Sequence, residues 1–130
     1  MSSVAVLTSS VTNERIFRNA LGKIGFGPIE TFGTTGEFLA RLKSQPSDLI
    51  VIQKNLLTAG DNHLLEVVRV DLTLEQPVLV TGYQFSKDEA IELIRRGASE
   101  LLLLPFNPET LAEKIGNLKL KDSPLAHGDE

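Results

Sequence analysis

The chain has no cysteine, which excludes a disulfide framework, a thiol nucleophile and a thiolate metal site, although that absence alone names no compartment. Long apolar runs are missing too. The apolar stretches are a few residues each, far short of the roughly 20 needed to cross a bilayer. Met1-Ser2-Ser3 lacks the basic region that opens a signal peptide, so a cytoplasmic location without membrane association is expected. Positive charge is not in excess. A formal net charge of -4 argues against direct nucleic-acid binding, because phosphate recognition is carried by clustered Lys and Arg. What remains is 130 residues that are 42% hydrophobic and 23% charged, the profile of one soluble globular domain. Proteins or small ligands are the expected partners.

Five short apolar, partly β-branched runs read as strands: Val4 to Leu7, Pro28 to Phe32, Leu49 to Ile52, Val78 to Val80 and Leu101 to Leu104. The second is interrupted by Glu30 and Thr31, and Pro28 suits only a strand start or a sheet edge. Between them, apolar residues recur every three or four positions, the period of a helix with one buried face. The predicted stripes are Ile16, Ala20, Leu21 and Ile24; Phe38, Leu39 and Leu42; Leu64, Leu65 and Val68; Ala90, Ile91, Ile94 and Ala98; and Leu111, Ala112 and Ile115. Gly25 and Gly97 sit where the first and fourth helices should end, Gly22 is a weak point inside the first, and Pro108 with Glu109 sits where the fifth should begin.

Strands alternating with helices predict a (βα)₅ α/β fold of flavodoxin-like type: a five-stranded parallel sheet, order 2-1-3-4-5, with helices on both faces. Continuous apolar strands such as Leu49-Ile50-Val51-Ile52 and Leu101-Leu102-Leu103-Leu104 are what a doubly covered sheet requires. The expected domain is residues 1–119, and 120–130 reads as a flexible tail or linker. In such sheets ligands bind beyond the carboxyl ends of the strands, where strand order reverses. That rule selects Thr8, Ser9 and Ser10, then Gln53, Lys54 and Asn55, then Thr81 and Gly82, and finally Leu104 and Pro105.

Several segments carry a likeness. Arg15-Ile16-Phe17-Arg18-Asn19-Ala20-Leu21 with Gly25-Phe26, Asp48-Leu49-Ile50-Val51-Ile52, Leu64-Leu65 up to Arg69, Pro77-Val78-Leu79-Val80-Thr81, and Gly97-Ala98-Ser99 with Pro105-Phe106 follow one another in an order and spacing that resembles the response-regulator receiver family. The nearest likeness is to the single-domain chemotaxis type, over residues 4 to 118. The resemblance implies two acidic residues after the first strand to hold magnesium, an aspartate after the third to accept a phosphoryl group, and a lysine before the late proline. Here those positions fall on Thr8 and Ser9, on Gln53 and on Leu104; Thr81, the hydroxyl position after the fourth strand, is kept.

Two hydroxyls and an amide offer magnesium only neutral oxygens, whereas the ion is ordinarily held by one or two carboxylates. An amide has no anionic oxygen to attack phosphorus, and Leu104 offers no positive charge to an added phosphate. Both signs are removed together, so neither a stranded lysine nor a set of mutually repelling anions is left behind. Lys54, by strand alternation, is expected to point away from the pocket. No metal, cofactor or catalytic residue is expected. The resulting expectation is a degenerate receiver, a non-phosphorylatable, non-enzymatic module of a two-component-type system acting through a protein partner or a second copy of itself. The alternative is a small-ligand sensor using the neutral pocket of Ser9, Gln53, Thr81 and Leu104.

The resemblance places the partner surface across the fourth helix, fifth strand and fifth helix. Tyr83 and Phe85, after the fourth strand, could anchor a partner there or fold back over the pocket, and both readings stay open. Leu101 occupies the family's switch-aromatic position. Glu89, Glu92, Arg95 and Arg96 give the fourth helix a mixed-charge outer face, solvated by default or salt-bridged in a dimer. Gly33-Thr34-Thr35-Gly36 lacks a Walker lysine and reads as a turn with a helix cap. His63, whose only fellow histidine is His127 in the tail, reads as a surface residue rather than a ligand. Thr8, Ser9 and Ser10 read as hydroxyls bonding loop backbone, since no histidine-carboxylate pair is predicted to face them.

Overall fold

The computed structural model describes residues 2–57 and 63–118. The elements alternate as β1 (Val4–Leu7), α1 (Val11–Ile24), β2 (Ile29–Phe32), α2 (Thr35–Ser44), β3 (Leu49–Gln53), α3 (Leu64–Glu66), β4 (Val78–Gly82), α4 (Lys87–Arg96), β5 (Glu100–Leu103) and α5 (Pro108–Gly116). A single 3₁₀ turn, Lys54–Leu56, follows β3, and α3 continues as π-helical backbone over Val67–Asp71. All strand pairs are parallel, in the order β2-β1-β3-β4-β5. This is the predicted topology, and it follows because each parallel neighbour needs a helical crossover.

Strand alternation divides the core in two. Val4, Val6, Leu49, Val51, Leu79 and Leu102 face α1 and α5 and meet Phe17, Leu21, Leu111 and Ile115. Ala5, Leu7, Ile50, Ile52, Val78 and Val80 face the other way and meet Phe38, Leu42, Leu65, Val68 and Leu93. The three middle strands are therefore apolar on both sides, as a doubly covered sheet demands. Helix ends use local chemistry. Ser10, Thr34, Ser86 and Asn107 cap α1, α2, α4 and α5 by accepting an N–H from the first turn, while Gly25 and Gly97, at φ +122 and +124, close α1 and α4.

Three expectations need correction. On α1 the buried stripe runs through Asn13, Phe17, Ala20 and Leu21, and Ile16 is exposed. On α4 Leu93 is the buried residue, and Ile91 and Ile94 are exposed. In both helices two apolar residues are adjacent, so periodicity alone allows either phase. The fifth strand is not covered on both faces: Leu103 is 57% exposed, because β5 is a sheet edge, and Leu104 lies just past the strand. The predicted tail and His127 lie outside the described residues.

Candidate functional site

At the carboxyl end of the sheet β1, β3 and β4 present their last residues side by side, and Gln53 and Thr81 are direct partners across β3 and β4. Gln53 does not point freely into solvent. Its Oε1 accepts the Thr8 hydroxyl at 2.5 Å and the Ser9 backbone N–H at 3.1 Å. Thr8 Oγ1 in turn accepts the Ser10 N–H at 3.2 Å. Four residues from two chain segments therefore form one neutral hydrogen-bonded unit, with Thr8 and Thr81 both buried. The remaining face of Gln53 opens on a cavity of about 410 Å³ lined also by Lys54, Asn55, Thr81, Tyr83 and Gln84. No carboxylate lines it, and no group of three or more potential metal ligands occurs among the described residues.

Lys54 was expected outside the pocket and is found in its wall. The chain leaves β3 into the 3₁₀ turn at this residue, so strand alternation no longer applies. Its Nζ donates to the Gln84 carbonyl at 2.6 Å, pairs with Glu89 at 3.1 Å and lies 5.0 Å from the centre of the Phe85 ring. Glycine at 82 makes room for this arrangement: a Cβ there would stand 3.1 Å from the Phe85 ring and 3.3 Å from Lys54 Cβ. On the opposite side the buried Asn13 sends Nδ2 to the Tyr83 hydroxyl at 3.3 Å. The loop between β4 and α4 is thus tied to the turn after β3 at one end and to α1 at the other.

No family model matches the chain. It is 28% identical over 113 residues to the chemotaxis protein CheY of Pseudomonas aeruginosa, covering 86% of this chain and 91% of that protein. It is 26% identical over 116 residues to CheY-3 of Vibrio cholerae, covering 88% and 89%. The solved structure of Vibrio cholerae CheY4 superposes with a TM-score of 0.81 at 24% identity, covering 92% of this chain and 99% of that one. The homologues of this chain are CheY-type response-regulator receiver domains. Its sheet order and five helices are those of the CheY-like fold. Receiver domains are signalling modules of two-component systems that work through contact with protein partners such as kinases and effectors, rather than enzymes in the ordinary sense. Among the described residues no helix is long and apolar enough to cross a membrane.

Of the receiver positions singled out in the sequence, Thr8, Ser9, Gln53 and Thr81 come together. Leu104 does not join them. Its side chain is buried with the α1 and α5 face of the core, and its N–H donates to the Gly82 carbonyl at 2.8 Å. The two readings of the aromatic pair separate. Tyr83 is 63% exposed while its hydroxyl reaches Asn13, and Phe85 is half-buried against the core beneath Lys54. Leu101 is likewise half-buried, and Glu92 pairs with Arg96 at 2.7 Å on the outside of α4.

Electrostatics follow from these contacts. Glu89 is held below the usual carboxylate range, first by the Ser86 backbone N–H and then by Lys54. His63 was expected at the surface and is half-buried between the turn after β3 and α4, with no partner for Nδ1 among the described residues. Burial, and then the nearby Arg96 charge, lower its pKa. Sequence reasoning missed Asn13 as a tether. Its spacing four residues before Phe17 was available as a signal, but a polar residue in a buried stripe reads as an interruption.

Proposed function

We propose that this chain is a receiver domain that signals by protein contact without accepting a phosphoryl group after β3. The observation that carries this reading is the state of Gln53. It is an amide where the family places a carboxylate, and its oxygen already accepts two hydrogen bonds, from Thr8 and Ser9. A neutral amide cannot form an acyl phosphate. The magnesium that receivers use does not fit this donor set. Thr8, Ser9 and Gln53 supply uncharged oxygens, and Glu89, the carboxylate paired with the cavity-wall residue Lys54, is engaged by it and by Ser86. The test is incubation with acetyl phosphate and magnesium followed by intact mass. The expected spectrum is that of the unmodified chain; a stable phosphoryl adduct would overturn the reading.

The contact surface is proposed on α4, β5 and α5. Support comes from three large apolar side chains that the fold leaves out: Ile91 at 48%, Ile94 at 49% and Leu103 at 57% exposure. Tyr83, 63% exposed, follows β4 next to this face, whereas Glu92 and Arg96 pair on the other flank of α4, towards Leu57 and His63. Phe85 and Leu101 line a groove beside Leu103, whereas Glu89 pairs with Lys54 on the other flank of α4. Sedimentation velocity on the chain and on Ile94→Glu is the measurement: concentration-dependent association in the first and its loss in the second is expected. A strictly monomeric chain that also captures no partner through this face would count against it.

A further inference from the structure

A second cavity, of about 350 Å³, lies beyond Lys54 between the turn after β3 and the flank of α4. It is separate from the Thr8, Ser9 and Gln53 unit, and the reading of Gln53 does not bear on it. Its floor is apolar, formed by Leu57 and Leu93 at 2% and 6% exposure. Its carboxylates are already engaged. Glu89 accepts the Ser86 N–H at 3.1 Å and pairs with Lys54; Glu92 accepts Arg96 Nε at 2.7 Å and faces Arg95 at 3.6 Å.

Arg96 is different. It makes its contact through Nε, and its two terminal amino groups have no hydrogen-bond partner among the described residues. What is left over at the wall is a planar, permanently charged donor fork of the shape that takes a carboxylate by two parallel bonds. An apolar floor of this size, ringed by four charged side chains of which Arg96 keeps its terminal amino groups unpaired among the described residues, is the composition of a small-molecule site. An additional cation would find the acids neutralised, and a purely polar anion would leave Leu57 and Leu93 uncovered.

We propose that this cavity binds a small organic carboxylate with an apolar body, its carboxylate on the Arg96 fork and its body on Leu57 and Leu93. The ligand would rest beside the Lys54 and Glu89 bridge that holds the loop between β4 and α4, so occupancy and the position of that loop are linked.

The experiment is an amide-shift titration by NMR on the whole chain, free of divalent cations, with benzoate and 4-methylpentanoate as probes. Benzamide, of the same shape but uncharged, is the control. Saturable shifts at Leu57, His63, Leu93 and Arg96 are expected, with benzamide roughly tenfold weaker and Arg96→Gln weakening benzoate by roughly tenfold, the value of one lost charge-assisted pair. Lys43→Gln, on the exposed last turn of α2, should leave the titration unchanged. Absence of saturable shifts up to about 20 mM, a range that would still detect millimolar affinity, overturns the proposal. Equal binding of benzamide and benzoate, or unchanged affinity in Arg96→Gln, also overturns it. A phosphoryl adduct on the chain would overturn the reading of Gln53 and leave this site standing.

Discussion

Arg69 reaches across 28 residues of sequence to Gly97 and also holds the connection that leads into β4. Its Nε and Nη2 donate to the Gly97 carbonyl at 3.1 and 2.8 Å, and Nη1 donates to the carbonyls of Leu74 and Gln76 at 2.9 and 2.7 Å. Burial lowers the pKa of this guanidinium, with Glu75 opposing the effect. Gly97 must be glycine for two reasons: its φ of +124 is one that side chains avoid, and a Cβ would stand 2.7 Å from Arg69 Cγ. Arg69→Met would leave three partly buried carbonyls without their charged donor. A loss of about 2–4 kcal/mol is expected from urea denaturation, the range for leaving buried acceptors unpaired. No periodicity or motif announces such a residue, since its role depends on two loops that only the folded sheet brings together.

At the level of elements, α4 shows how one side chain can serve two structures. Glu89 completes the capping box with Ser86, each side chain bonded to the other's backbone N–H, and the same carboxylate holds Lys54. Ser86→Ala should therefore cost about 1 kcal/mol, as cap removals do. Amide exchange should also quicken over residues 82–90, a range a simple helix-end defect would not reach. The cap at Thr34 and the closing glycines Gly25 and Gly97 were readable from residue type, because capping is a contact between near neighbours in sequence. Which face of α1 or α4 turns inward was not. Ile16 beside Phe17 and Leu93 between Ile91 and Ile94 satisfy the helical period in either phase, and the choice is made by Phe106, 5.0 Å from Phe17, and by the sheet.

For the whole molecule, the strand order and the meeting of Thr8, Ser9, Gln53 and Thr81 were legible, since a parallel sheet with right-handed crossovers leaves few alternatives. Lys54 and Leu104 were not placed correctly, because each lies one residue beyond the end of a strand, where alternation stops governing direction. Stability as a function of pH also belongs to this scale. The His63 pKa is lowered on folding, so the unfolded chain binds more protons below about pH 6.5, the ordinary imidazole value, and stability falls as pH drops through that window. The Glu89 pKa is also lowered, and its contribution is lost further down, as pH falls through the carboxylate range. Thermal unfolding midpoints should decline in both windows. His63→Gln should remove the upper decline and spare the lower, and an unchanged upper decline in that variant would exclude His63 as its source.

The interior place of β1 bears on how the polypeptide acquires its shape as it is made. β1 is made before both of its neighbours; it pairs on one edge with β2, which follows it closely, but its other edge stays open until Leu49 to Ile52 have emerged. Nascent chains shorter than that expose an unsatisfied ladder, and protection from proteolysis on stalled ribosomes should rise sharply once β3 clears the exit tunnel.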